Sequence, residues 1–231
     1  GRIKIDAGIY SEYTGNYPLW EALAGYASEK GLGMQLHLSE SQNEVESCLD
    51  RTGMTPGELL SCHRLFAVPA TAAGCGYLTP EEARMLGKKH ASAVALPLSA
   101  AKNGQHCASI TDLVKAGMNV ALGTDGAIQA GNLDLFEVMR GAAMSVRAEK
   151  GDPSALPSSA ALMMATFCGA QAQGRGGECG MLKEGYDADL VLIDFSAPHL
   201  MPCHNVITGL VYAAKGGDVA MTMVRGKILY Q

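Results

Sequence analysis

The chain has 231 residues, 48% of them hydrophobic and 18% charged, with a formal net charge of −5 at pH 7. This length allows one large domain with a well-buried core, and the acidic balance without a basic run argues against nucleic acid or an anionic membrane surface as a partner. No apolar run approaches the roughly 20 residues that span a bilayer, and none has the form of a signal peptide. Seven widely spaced cysteines without a CxxC pair favour reduced thiols. We therefore expect a cytoplasmic protein.

Strand-like and helix-like segments alternate over the first two-thirds of the chain. Five segments are typical of strands, and they span residues 2–9, 34–38, 70–73, 91–96 and 119–122. Helical patterns are found at residues 19–30, 110–117, 134–149 and 158–173. The alternation predicts a parallel sheet with helices outside it. Because a closed (β/α)8 barrel takes eight strands and about 250 residues, we predict an α/β fold that forms about five-eighths of a TIM-like barrel.

Local signals mark several helix ends. Thr55 and Thr79 each precede a proline and stand three residues before a glutamate, which is the capping-box pattern of a helix start. The first long helix should end at Gly31, because glycine commonly follows the last turn. The apolar residues at three- and four-residue spacing predict its buried face, which comprises Leu19, Leu23, Tyr26 and Ala27.

The pattern changes after the glycine-rich stretch at residues 174–180. Strand-like segments follow with no helix of normal length between them, at residues 189–194, 206–214 and 219–230. Gly226 lies between two apolar runs and indicates a hairpin turn. The sequence thus predicts a barrel segment over residues 1–176 and a small C-terminal β-rich subdomain over residues 177–231.

Three motifs in chain order carry a family resemblance. They are His37-Leu-Ser-Glu40 after the second strand, Thr124-Asp125-Gly126 after the fifth, and the segment at residues 185–194, which reads Gly-Tyr-Asp-Ala-Asp-Leu-Val-Leu-Ile-Asp. With them the chain resembles the amidohydrolase superfamily, in particular the group of methylthioadenosine/S-adenosylhomocysteine deaminases and chlorohydrolases. The resemblance implies strands four to eight of a TIM-like barrel. It also implies metal-dependent hydrolysis of C–N bonds in adenosine-like or other N-heterocyclic substrates.

The resemblance assigns roles to individual residues. His37 and Asp125 match two ligands of the divalent metal ion, zinc or iron, that the family uses. Glu40 matches the general acid/base, and Asp125 can also accept a proton, so these two are the predicted catalytic residues. The metal would lower the pKa of its bound water, and the carboxylates would move protons between that water and the leaving group. The predicted substrate-binding positions are Tyr10, Glu12, Gly74 and Lys102.

Several positions depart from the family's pattern. The sequence lacks the HxH that supplies two further metal ligands, and Gly74 stands where the family has the histidine that polarises the attacking water. Tyr10 stands at the place of a fourth-strand histidine, and Ala95-Leu96-Pro97 replaces a seventh-strand His-Asn-Pro. Since a zinc site takes about four ligands, we expect metal binding to be weak or absent. The sequence then describes a truncated and degenerate relative.

Three hypotheses about function stay open. The chain could be an inactive relative that binds or scaffolds, an active hydrolase completed by another chain or segment, or a fragment without a function of its own. His37 could also be a core histidine, and Asp125 could cap the segment that follows it. Both edges of a partial sheet would be open. We therefore expect a homo-oligomer or another partner that covers them, and a small purine-like ligand at the mouth.

Overall fold

The computed structural model describes residues 3–231. Five strands lie in one sheet in the order of the chain, and they are β1 (Ala7–Gly8), β2 (Met34–Leu38), β3 (Ala70–Gly74), β4 (Ser92–Ala95) and β5 (Asn119–Leu122). All four neighbouring pairs are parallel. The predicted parallel sheet is confirmed, and the carboxyl ends of its strands meet at one end of the molecule.

The first strand is much shorter than the predicted segment at residues 2–9. It contains only two residues, Ala7 and Gly8. Arg2 lies outside the described residues. Ile3 and Ile5 are 84% and 75% exposed, so they have no packing partner that would extend the strand.

Helices fill the connections between the strands and the region after β5. They are α1 (Tyr17–Lys30), α2 (Gln42–Thr52), α3 (Pro56–Cys62), α4 (Pro80–Lys88), α5 (Pro97–Lys102), α6 (Ile110–Lys115), α7 (Ala127–Ala130), α8 (Leu135–Lys150), α9 (Ser158–Ala165), α10 (Phe167–Ala172) and α11 (Val206–Tyr212). The single helix predicted at residues 158–173 is two helices, because the backbone breaks at Thr166. Within residues 3–231, no helix is both long and apolar enough to cross a membrane.

The predicted helix ends are confirmed where the signal is local. Thr55 and Thr79 each form a complete capping box with the glutamate three residues later. Helix α1 ends at Gly31, whose φ of 63° lies in the left-handed region.

The predicted buried face of α1 is only partly right. Leu19 and Tyr26 are about half exposed, and the buried residues are Trp20, Ala24 and Ala27. The helix packs through small alanines and one tryptophan, so its apolar spacing alone did not identify the face.

The C-terminal segment adds a small antiparallel sheet. Its strands are β6 (Leu190–Ile193), β7 (Val219–Val224) and β8 (Lys227–Tyr230), and β7 pairs with both of the others. The hairpin turn predicted at Gly226 is confirmed, with Gly226 at a φ of 74°. The boundary predicted between residues 176 and 177 falls in the connection from α10 to β6, and it stays a prediction.

Residues 206–214 were predicted as strand, and this prediction is wrong. They contain α11, whose start is capped by the Asn205 side chain accepting a hydrogen bond from the Thr208 N–H at 2.9 Å. Val211 is fully buried where α11 packs against α8 and α9. The cap and this packing outweigh the strand preference of the β-branched residues.

The two ends of the five-stranded sheet differ. At the amino end, α10 is tied to the strands because Thr71 donates to the Ala172 carbonyl and Asn119 donates to the Cys168 carbonyl. The carboxyl end carries the loops that hold the predicted site residues. At the sides, among the described residues, β1 pairs only with β2 and β5 only with β4.

The cap of α11 can be tested by substitution. Asn205→Ala should lower the free energy of unfolding by about 1 kcal/mol, because the first turn of the helix loses its side-chain acceptor. Urea denaturation measures the change. Asn43→Ala is the control, since Asn43 is exposed on α2 and should change stability by less than about 0.5 kcal/mol. Equal effects of the two substitutions would contradict the capped helix.

Candidate functional site

The turn after β2 brings His37 and Glu40 together. Nδ1 of His37 donates to Oε1 of Glu40 at 2.9 Å, and both side chains are mostly buried. This hydrogen bond raises the pKa of His37, while burial of the ring opposes the rise. Two residues that were predicted for different roles, one as a metal ligand and one as the general acid/base, are therefore in direct contact.

The same turn is held by a residue that the sequence analysis missed. The carboxylate of Glu44, in the first turn of α2, accepts the backbone N–H groups of Ser39 at 3.0 Å and Glu40 at 2.8 Å. Ser41 caps the helix by accepting the Glu44 N–H. The spacing Ser41-x-x-Glu44 is a capping-box signal and could have identified this residue.

Gly74, at the end of β3, lies directly beside Glu40. A Cβ atom added to Gly74 would come within 2.5 Å of Glu40 Cγ, and the φ of Gly74 is +92°. Real Cβ atoms do not approach so closely, and a φ of this value strains any residue with a side chain. The absence of a side chain at residue 74 is thus what gives the Glu40 side chain its room.

Asp125 follows β5 and is fixed by two hydrogen bonds. Its Oδ2 accepts from the Ser99 hydroxyl at 2.7 Å, and its Oδ1 accepts from the Gly126 N–H at 2.8 Å. Ser99 is buried in α5. This pair has no local sequence signal, because its partners are separated by 26 residues.

Tyr10 joins the same cluster of side chains. Its ring centroid lies 4.9 Å from that of His37, and 54% of the residue is exposed. Partial burial raises the pKa of Tyr10 to about 12, and the negative charges of Glu40 and Asp125 add to the rise. These groups therefore share one electrostatic environment at the carboxyl end of the sheet.

Two predicted substrate-binding residues are engaged elsewhere. Glu12 is fully buried, and both of its carboxylate oxygens accept from the Arg51 guanidinium, at 2.7 and 2.8 Å. Lys102 donates to the backbone carbonyl of Ile128. Glu12 thus has a structural partner and Lys102 ties down the segment after β5, while a contact of either with substrate stays a prediction.

The cleft beside this cluster is small. It is lined by Glu40, Gly74, Ser99, His106 and Cys107, among others, and its volume of about 10 Å³ accommodates roughly one water molecule. A purine-sized ligand needs this cleft to widen. A larger groove of about 580 Å³ lies between α1 and the segment after α3, and it is lined by none of the predicted site residues.

Comparisons with known proteins agree with the motifs. The model of the amidohydrolase family matches residues 1–229. The chain belongs to the amidohydrolase family. It is 40% identical over 229 residues to the 5-methylthioadenosine/S-adenosylhomocysteine deaminase of Moorella thermoacetica, covering 99% of this chain and 54% of that protein. It is 38% identical over 231 residues to the deaminase of the same name from Pelotomaculum thermopropionicum, covering 100% of this chain and 53% of that protein.

A solved structure confirms the fold. The adenosine deaminase from Xanthomonas campestris with bound zinc matches with a TM-score of 0.92 and 30% identity, over 96% of this chain and 51% of that structure. The predicted family and the predicted partial TIM-like barrel with a small β subdomain are therefore both confirmed. The chain spans about half the length of the relatives that it matches.

The residues present do not by themselves fit the zinc ion of the solved relative. Among residues 3–231, no three His, Cys, Asp or Glu side chains converge on a position that could hold a metal. A catalytic zinc site takes three protein ligands and a structural site takes four. His37 and Asp125, the two predicted metal ligands, are too few to form such a site alone.

The close contact at Gly74 predicts a measurable coupling with Glu40. Gly74→Ala should lower the free energy of unfolding by about 1–3 kcal/mol from backbone strain, and the clash with Glu40 should add to this. In a Glu40→Ala background only the strain should remain, so the cost of Gly74→Ala should be smaller. Chemical denaturation of the four proteins gives the coupling energy.

The control for this cycle is a glycine in a helix with open space around it. A Cβ at Gly25 in α1 would meet nothing within 4 Å, so Gly25→Ala should leave stability unchanged or raise it by about 0.5–1 kcal/mol. An equal cost of Gly74→Ala with and without the Glu40 side chain would contradict the contact.

Proposed function

We propose that this chain forms a binding cleft for adenosine-like or other N-heterocyclic ligands and does not hydrolyse them by itself. The observation that carries the proposal is the contact between Glu40 and His37 beside Gly74. The two titratable groups that the family would use in separate roles are joined by a hydrogen bond here. The names of the deaminase relatives support the ligand class.

The side chains around His37 offer suitable chemistry for such a ligand once the cleft widens. Glu40 and Asp125 provide carboxylate oxygens that can accept N–H groups of an aminated heterocycle. Tyr10 provides a half-exposed aromatic face on which a flat ring can stack. Each group binds or orients a ligand without requiring a chemical step.

The same residues argue against hydrolysis by this chain alone. Gly74 has no group that could polarise an attacking water, and losing one such electrostatic group typically costs on the order of 10²–10³ in rate. A divalent metal would supply hydroxide at neutral pH, but His37 and Asp125 provide only two ligands for it. These losses act on one reaction centre and compound each other.

The proposal is tested with ligand binding, turnover and metal content on protein purified without chelators. We expect zinc well below one ion per chain, no deamination of 5′-methylthioadenosine or adenosine, and measurable binding of one of them by calorimetry. Tyr10→Ala should weaken that binding by about tenfold or more, because a stacked base is worth about 1–3 kcal/mol. Tyr26→Ala, which removes a similarly exposed ring from α1, should have no effect. Stoichiometric metal with robust turnover would refute the proposal.

A second candidate is an active C–N hydrolase that another chain or segment completes. Two observations favour it. His37 uses Nδ1 for Glu40, which leaves its Nε2 without a hydrogen-bond partner among the described residues. The strands at both sides of the described sheet, β1 and β5, also have one side free for further strands. A polypeptide that paired there could bring metal ligands to His37 and Asp125.

Mixing experiments distinguish this candidate from the first. The added partner is the part of the Moorella thermoacetica deaminase that lies outside its match to this chain. Under the second candidate, sedimentation should show a complex, and the complex should take up zinc and deaminate. A His37→Ala variant should form the complex but bind zinc less tightly. Two outcomes would favour the binding cleft over this candidate. In one, a complex forms but takes up no zinc. In the other, the two polypeptides form no complex and this chain associates only with itself.

A further inference from the structure

Glu44 is buried directly behind the turn that carries Glu40. The residue is 5% exposed, and its two carboxylate oxygens accept separate backbone N–H groups, one from Ser39 and one from Glu40. Glu44 is not among the residues that line the cleft. Its hydrogen bonds to the site are made to the backbone of the turn.

The turn needs such a support because its backbone is unusual. Ser39 has a φ of 49°, in the left-handed region that residues with side chains rarely adopt. The carbonyl groups on the other side of the turn are also used, since Cys75 N–H donates to the Leu38 carbonyl and Tyr77 N–H donates to the Ser39 carbonyl. Because Glu44 accepts from the N–H groups, both the backbone donors and the backbone acceptors of the turn have hydrogen-bond partners.

Two opposing effects act on the pKa of the Glu44 carboxyl group. Burial raises the pKa of Glu44, and the two backbone N–H groups oppose that rise by stabilising the charged form. Burying a carboxylate without hydrogen-bond donors costs much free energy. The hydrogen bonds therefore keep both the Glu44 carboxylate and the two backbone N–H groups in place. Bonds of this kind, with one ionised partner, are about twice as strong as neutral ones.

We infer that Glu44 is a positioning residue that, through the backbone of Ser39 and Glu40, aims the Glu40 carboxylate between His37 and Gly74. It acts on the geometry of the site and contacts no ligand. The inference rests on the proposed function only where ligand affinity is the readout. The other two readouts below are independent of it.

The chain offers a closely matched control in Glu82. This glutamate is 2% exposed, and its oxygens likewise accept two backbone N–H groups, from Gly57 at 3.1 Å and Thr79 at 2.9 Å. It joins the starts of α3 and α4, and its backbone hydrogen bonds go to residues outside the turn that carries Glu40. Glu82→Gln therefore removes a buried charge from an equivalent environment without touching the turn.

The first readout is amide hydrogen exchange followed by NMR. Glutamine at residue 44 keeps one acceptor and turns an amide NH2 toward the other backbone N–H. In Glu44→Gln, exchange at Ser39 or Glu40 should speed up by at least about tenfold beyond any global change, as expected for loss of one hydrogen bond to a charged group. In Glu82→Gln, the local acceleration should appear at Gly57 or Thr79 instead.

The second readout is the change in the free energy of unfolding that Gly74→Ala causes in each background. If Glu44 aims Glu40 into the space beside Gly74, the destabilisation caused by Gly74→Ala should be smaller in the Glu44→Gln background than in the wild type. It should be unchanged in the Glu82→Gln background. This comparison separates aiming of Glu40 from a general loss of stability, which both glutamine variants should show.

The third readout is affinity for the adenosine-type ligand. Glu44→Gln should weaken binding about as much as Glu40→Gln does, and Glu82→Gln should not. If the wild type binds no such ligand, the proposed function fails while the exchange and coupling results still decide the role of Glu44. If Glu44→Gln does not fold, Glu44→Asp, with its carboxylate withdrawn by one methylene, takes its place. Unchanged exchange at Ser39 and Glu40 together with an unchanged cost of Gly74→Ala would overturn the inference.

Discussion

The two hydrogen bonds that the Glu44 carboxylate accepts from the backbone after β2 are the constraint on which the site depends. It fixes a turn that contains a left-handed serine, and that turn sets the direction of Glu40. The direction of Glu40 then determines its contact with His37 and requires a glycine at residue 74. The arrangement of the side chains at the site therefore depends on Glu44, which is buried and does not line the cleft.

Three buried glutamates connect separate segments of the chain by accepting hydrogen bonds. Glu44 holds the turn after β2, Glu82 joins the starts of α3 and α4, and Glu12 takes both hydrogen bonds from Arg51. Each carboxylate has its partners, as a buried charge must. The loops at the carboxyl end of the sheet are thus fixed by polar contacts, while the sheet below them is packed by apolar residues such as Leu36, Leu38 and Ala72. This division explains why Glu12, whose predicted contact with substrate stays a prediction, has a structural partner in Arg51.

Much of the fold could be predicted from local sequence, because its signals are local. The caps at Thr55 and Thr79 and the turn at Gly31 depend on residues three or four positions apart. Helix α11 could not be predicted from its β-branched residues, since the cap at Asn205 and the burial of Val211 against two distant helices decide its form.

The same distinction applies to the site. The motifs identified His37, Glu40 and Asp125, and the fold brings them to one end of the sheet. The partners Ser99 and Arg51 could not be found, because they come from 26 and 39 residues away along the chain and meet only after folding.

Family membership and chemistry are separable in this chain because they depend on different atoms. The fold at the carboxyl end of the sheet depends mostly on backbone hydrogen bonds, such as those of the helix caps and of the turn after β2, and these do not involve the side chains at the predicted site. The departures that the sequence analysis predicts lie on side chains at the mouth, where Gly74 and Tyr10 stand at positions expected to act on water or metal. Since Glu40 fills the room that Gly74 leaves, a side chain at residue 74 would displace Glu40 from His37. Under the proposed function, a gain of hydrolysis would therefore require a new position for Glu40 as well as new metal ligands, so the changes at these positions depend on each other.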